Sequence, residues 1–151
     1  AMKKSFQIIC CAVVFVLGSL SLVYAHCEIP CGIYDDPARI EQMREHITTI
    51  ERSMDQIHVI SKQMKNGDVA HHNQMVRWVT NKEDHANKLQ HIVSQYFMTQ
   101  RISAGDAKYA EKISVLHQIL VEAMKCKQTV DTGHVEKLHD LVDRFETLYL
   151  K

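Results

Sequence analysis

Nine residues near the N-terminus carry most of the chemistry in this chain: His26-Cys27-Glu28-Ile29-Pro30-Cys31-Gly32-Ile33-Tyr34. They follow a segment with the marks of a secretory leader: basic Lys3-Lys4, an apolar stretch from Ile8 to Leu17 that continues weakly to Val23, and a small-residue cleavage site ending at Ala25. Cleavage after Ala25 makes His26 the first residue. A free α-amine, an imidazole, a backbone amide and two thiols then fall within six residues. The amine of His26 and the amide of Cys27 can close a tight chelate ring, and the Cys27 sulfur closes a second. Cys31 reaches back if the chain turns, which Pro30 favours, and Gly32 lets it leave in conformations closed to other residues. Two nitrogens and two sulfurs in a plane, with an imidazole above, do not suit zinc, which prefers tetrahedral sites. They suit Ni(II) or Cu(II), and because thiolates tend to reduce Cu(II), nickel is the better fit. Strong anionic donors also favour a higher oxidation state, which points to one-electron chemistry.

The competing reading of Cys27 and Cys31 is a structural disulfide in an exported helical protein that binds a metal or a partner, since close cysteine pairs in oxidising compartments usually pair. The competing reading of the leader is an uncleaved anchor, because its apolar run approaches spanning length. Of the other cysteines, Cys10 and Cys11 lie in the leader, and Cys126, between Lys125 and Lys127, reads as a half-buried structural thiol.

The pattern His26-Cys27-x-x-Pro30-Cys31-Gly32-x-Tyr34 resembles the nickel hook of nickel-containing superoxide dismutases. The resemblance continues weakly into Ala38-Arg39-Ile40-Glu41, with Glu28 at a position where the family often has Asp. It implies a four-helix bundle, assembled as a homohexamer, that carries one nickel per chain and converts superoxide to oxygen and hydrogen peroxide by Ni(III)/Ni(II) cycling. It implies that His26 supplies its amine and imidazole, Cys27 its amide and thiolate, and Cys31 its thiolate. Tyr34 would stand over the open face of the metal, Pro30 would carry a cis bond, and Glu41 would orient the axial imidazole. Arg77 and His85 are the two candidates for a further group supporting that imidazole. A maturation protease is implied as a partner, and the mature protein is expected to be exported, periplasmic or extracellular, and free of the membrane.

The remaining residues must build what holds the hook. The 151-residue chain is long enough for one domain, and five Gly and two Pro leave it free to be mostly helical. Its formal charge is zero, and losing Lys3 and Lys4 with the leader leaves 16 basic against 18 acidic residues, a net −2 that speaks against a nucleic-acid surface. The expected organisation is a leader at 1–25, the hook at 26–34 and an all-α domain at 35–151, an antiparallel up-down-up-down four-helix bundle. Asp35-Asp36-Pro37 signals a helix start. From there Ile40, Met43, Ile47, Ile50, Met54, Ile57 and Met64 form an apolar seam, with Ser61 in its one polar slot. Asn66-Gly67-Asp68 turns the chain into a second helix marked by Val69, Met75, Val76, Val79, Leu89, Ile92, Val93, Tyr96 and Phe97, with a weak point near Thr80-Asn81-Lys82. After a turn at 103–106, Tyr109, Ile113, Leu116, Leu120 and Ala123 trace a third helix. Val135, Leu138, Val142, Phe145 and Leu148 or Tyr149 trace the fourth. Trp78, Tyr96 and Phe97 read as core or subunit-contact residues. His71-His72 and the lone Glu136-x-x-His139 read as surface, because a di-iron bundle site requires two such motifs.

Overall fold

A computed structural model describes residues 36–65 and 67–151, and among these residues the only regular elements are helices. Four α-helices run in order: α1 (Asp36–Gln63), α2 (Val69–His91), α3 (Tyr109–Gln128) and α4 (Gly133–Leu150). A π-helical segment, Ile92–Arg101, continues α2 without a break. The connections are short, so sequence neighbours lie side by side, and α4 packs back on α1 to close the bundle. The expected four-helix bundle is therefore what forms. The leader 1–25 and the hook 26–34 lie outside the described residues.

The α1 seam is buried as the periodicity predicts through Ile57, with Ile40, Met43, Ile47, Ile50 and Met54 fully enclosed. Beyond it the burial moves to Ile60, while Ser61 is exposed and Met64 only half-buried. A straight helix has 3.6 residues per turn rather than the 3.5 of a heptad seam, so the buried stripe drifts. The turn after α1 uses Gly67 at φ +82°, and Asp68 caps α2 by accepting the His71 amide at 3.1 Å.

Sequence periodicity misplaces the first half of α2. Val69, Val76 and Val79 are exposed, at 79%, 64% and 38%. The cause is unequal helix length: α1 and α2 span 28 and 23 residues, α3 and α4 only 20 and 18. The α3–α4 connection lies level with His58, whose Nε2 meets the Val130 carbonyl at 3.0 Å. It also lies level with Lys82, and beyond that level the α1–α2 hairpin projects alone. No break occurs at Thr80–Lys82, since α2 is continuous there. Lys82 is instead buried, and its ammonium donates to the carbonyls of Cys126, Lys127 and Thr129 at 2.7, 2.8 and 2.8 Å. These carbonyls lie at the C-terminus of α3, where backbone acceptors lack helical partners and the helix dipole favours a cation.

In α3 the enclosed residues are Val115, Leu116, Ile119, Ala123 and Cys126, whereas Tyr109 is 39% exposed. Cys126 is fully rather than half buried. In α4, Val135, Leu138, Val142 and Phe145 face the core as expected. Glu122, almost enclosed between α3 and α4, is satisfied by Lys125 Nζ at 2.8 Å and by His134 Nδ1 at 2.7 Å.

Candidate metal centre and its supports

Asp36, two residues after Tyr34 in sequence, is the first described residue, and the groups that meet its carboxylate come from two elements, the π-helical segment and α4. Its Oδ1 accepts the Tyr96 hydroxyl at 2.5 Å and Arg101 Nε at 3.1 Å, and its Oδ2 accepts the Tyr149 hydroxyl at 2.7 Å. Arg101 also donates through an NH2 group to the Tyr96 oxygen at 3.0 Å. Sequence reading treats Asp36 as part of a helix-start signal, but both its oxygens are spent on tertiary contacts. Burial works against the Asp36 carboxylate, yet the two tyrosine hydroxyls and Arg101 outweigh it and hold its pKa below the usual value. Burial, reinforced by Asp36, raises both phenols, so Tyr96 and Tyr149 remain proton donors at neutral pH.

The π-helical segment brings Tyr96 and Arg101 together. In an α-helix, residues five apart point about 140° away from each other. In the wider i→i+5 ladder they lie on one face. Side chains follow the same spacing, with Thr99 Oγ1 donating to the Ser94 carbonyl at 2.7 Å and Gln100 Nε2 to the Gln95 carbonyl at 3.1 Å. Behind the polar cluster, Phe97 meets Phe145 edge to face at 4.8 Å, and Phe145 stacks on Tyr149 at 5.3 Å. The guanidiniums of Arg39 and Arg101 lie 4.9 and 4.8 Å from the centre of the Tyr96 ring.

Glu41 sits on the second turn of α1 with its side chain 69% exposed, and Arg44 Nε lies 3.4 Å from its Oε1. Arg44 in turn ties α1 to α4 by pairing with Asp143 and with Glu146, the latter at 2.7 Å. The structure separates the two candidate supporting groups. His85 lies across from α1 with its Nδ1 3.1 Å from that of His46. Arg77 lies two turns nearer the free end of the hairpin. From the pairing of Ser53 with Asn81 at 3.0 Å, its level on α1 is about residue 57, roughly 24 Å along the axis from Glu41. Burial, then His85 and Lys88, push the His46 pKa down to about 4, and burial lowers that of His85. Both imidazoles are therefore neutral at pH 7, which suits a hydrogen bond of one to the other. His46 borders an open groove of ≈ 570 Å³ whose rim includes Arg39, Lys88 and His91.

Among the described residues no group of three or more His, Cys, Asp or Glu side chains is placed to hold a metal. The metal donors expected from sequence, His26, Cys27 and Cys31, and Tyr34 beside them, lie outside those residues, so only Glu41 of the expected site is seen. The chemistry of that donor set, with thiolates and an N-terminal amine-amide pair, fits nickel in a planar site. What sequence reading missed is the anchorage: Asp36, Tyr96, Arg101 and Tyr149. The signal available was a carboxylate next to the hook and two tyrosines at ends of helices, which becomes informative only once α1 and α4 are known to be adjacent.

Comparison with known proteins adds one match. Residues 21–151 match the model of a family described as nickel-containing superoxide dismutase. No curated protein and no solved structure matches the chain.

Proposed function

Because the chain belongs to the nickel-containing superoxide dismutases, we propose that its nickel is held at the N-terminal hook by His26, Cys27 and Cys31, one metal per chain. The protein is a nickel-dependent superoxide dismutase, an oxidoreductase whose substrate is superoxide. The observation that carries this is the match over residues 21–151, which spans the motif His26-Cys27-x-x-Pro30-Cys31-Gly32-x-Tyr34.

Nickel, when bound, supplies a one-electron couple through which two superoxide anions and two protons become dioxygen and hydrogen peroxide. The protein's part is to present donors and to hold them. His26 provides its amine and imidazole, Cys27 its amide nitrogen and thiolate, and Cys31 its thiolate. Tyr34 would stand beside the metal and help hold the small anion. Glu41, on the second turn of α1, would accept a hydrogen bond from the His26 imidazole and fix its orientation. Its exposure leaves its carboxylate accessible to such a partner. Of the two supporting candidates, His85 is favoured because it lies on the half of α2 nearer Glu41.

The leader 1–25 is removed between Ala25 and His26 by a maturation protease, and the mature enzyme acts outside the cytoplasm. The residues Lys3-Lys4, the apolar run and Ala25 support this reading. Among the described residues no helix is long and apolar enough to cross a membrane. Self-association, as a hexamer in the reading from sequence, is supported by the projecting hairpin, which exposes Val59, Val69 and Val76. Sedimentation of the mature protein tests the hexamer.

The decisive experiment compares protein beginning at His26 with the same protein carrying one extra N-terminal alanine, each assayed for nickel content and dismutase activity. Nickel near one per chain and activity confined to the His26 form are expected. A Cys27–Cys31 disulfide and no nickel in both forms would replace the hook with a structural bridge.

A further inference from the structure

The cluster around Asp36 is more than a helix start requires. Pro37 already suits the first helical position, where no amide hydrogen is missed. Yet one carboxylate is met by a phenol from the π-helical segment, a guanidinium from its far end and a second phenol from the last turn of α4. The π-helical backbone is an uncommon geometry, and it occurs here where it turns Arg101 onto the face of Tyr96 and towards Asp36. A first helical turn is ordinarily the part of a helix most given to fraying; this one is tied to both α4 and the segment following α2. The Nε of Arg39, buried one turn along α1, has no hydrogen-bond partner among the described residues.

We infer that Asp36, Arg101 and Tyr149 act as a clamp that sets the position and direction in which the hook leaves the bundle, making Tyr149 a positioning residue of the dismutase. The inference rests on the assignment of nickel to His26, Cys27 and Cys31. The lever is short. Five residues separate Cys31 from Asp36 and can span at most about 18 Å; two separate Tyr34 from it and span about 7 Å. Rotation of the first turn of α1 therefore displaces the hook relative to Glu41 on the next turn, and misplacement on the scale of 1 Å is enough to cost a large part of a rate. Tyr149 touches neither metal nor substrate in this role. It acts through Asp36, by donating a hydrogen bond that its raised pKa keeps available.

The test uses the nickel-loaded protein beginning at His26 and two variants, Tyr149→Phe and Arg101→Gln. Tyr149→Phe keeps the ring that stacks on Phe145 and removes only the hydroxyl. Arg101→Gln keeps every aromatic ring while removing the guanidinium from Asp36 and from the Tyr96 face, and serves if the first variant folds poorly. Tyr109→Phe, on an exposed tyrosine, is the control. Three quantities are read: the rate of nickel release to a chelator, the electron paramagnetic resonance spectrum of the oxidised nickel, and the melting temperature of the metal-free protein. The clamp predicts release about two- to tenfold faster in both variants, the factor that one hydrogen bond of ordinary net strength represents. It also predicts a spectrum broadened or shifted relative to the parent and the control. A lower melting temperature with parental release rate and spectrum would overturn the clamp and leave a purely structural staple. If the parent itself binds no nickel, the hook assignment fails and the inference with it; if the parent binds nickel and the variants match it, the inference alone fails.

Discussion

Replacing Lys82 by methionine isolates one contact whose energy can be worked from the structure. The side chain is 3% exposed, and its ammonium satisfies three carbonyls at the end of α3. Methionine keeps most of the volume and removes the donors. The Cys126 carbonyl is the one met in a buried bond, and leaving such an acceptor without a partner costs about 1–3 kcal/mol. Those of Lys127 and Thr129 are met in part-buried bonds; water can replace the ammonium there, so together they add roughly 1 kcal/mol. Loss of a cation at a helix C-terminus adds about 0.5–1 kcal/mol. Against this stands the desolvation of the ammonium, which burial makes unfavourable enough to lower the Lys82 pKa and which methionine avoids. The balance is a loss of about 2–3 kcal/mol. For a domain of this size that is a fall in melting temperature of roughly 10 °C. Thermal and urea unfolding of the metal-free proteins at equal concentration measures it without the contribution of bound metal. A Lys82→Met protein as stable as the parent would refute the reasoning, since it would mean that the burial cost cancels all three bonds.

Two other outcomes follow from buried titratable groups. The His46 imidazole has a folded pKa of about 4 against 6.5 in the unfolded chain. Between those values the unfolded state binds the extra proton, so stability is fully present above pH 6.5 and is lost as pH falls towards 4. Discounted for partial exposure, the loss is about 1–2 kcal/mol, readable as a lower urea midpoint at pH 4.5 than at pH 7.5; His46→Gln should flatten that dependence, and a parental slope in the variant would contradict the assignment. Burial, with Glu122 next, pushes the Cys126 thiol up to about 11. At pH 8 the native, reduced, metal-free mature protein should therefore alkylate at Cys27 and Cys31 alone, with a third thiol appearing only on denaturation. Mass spectrometry counts the adducts, and native modification of Cys126 would show that its enclosure is wrong.

The parts legible in sequence are those where one local pattern has one solution. The spacing from Ile40 to Ile57 specifies a buried helical face, Gly67-Asp68 specifies a turn and a cap, and the hook residues specify donors of a particular kind. Lys82 was illegible because a lysine inside a helix normally faces water, and only the arrival of α3's carbonyls makes burial favourable. Val69, Val76 and Val79 were misread because periodicity reports which face is apolar, not how far the opposing helices extend. The π-helical segment has no local signature, since Ile92–Arg101 fits an α-helix equally well. Asp36 shows the same limit from the other side: it looks like a helix-start residue, and what it contacts depends on Tyr149, 113 residues later in the chain.

The contact between Asp36 and Tyr149 brings the start of α1 and the last turn of α4 to one pole of the bundle. A probe attached near Lys151 therefore sits close to the start of α1, the helix that follows the proposed hook in sequence, whereas any addition ahead of His26 removes the amine on which the proposed chelate depends. Counting the chain from Cys31 to Asp36, the Asp36 side chain and the 2.7 Å hydrogen bond, the Tyr149 hydroxyl lies within about 24 Å of the Cys31 backbone. Loading a paramagnetic metal should broaden the nuclear resonances of the last turn of α4 while leaving those at the tip of the α1–α2 hairpin, some 40 Å along α1 from Asp36, sharp. The last turn of α4 thus offers a place from which to watch the metal arrive without touching the residues proposed to receive it.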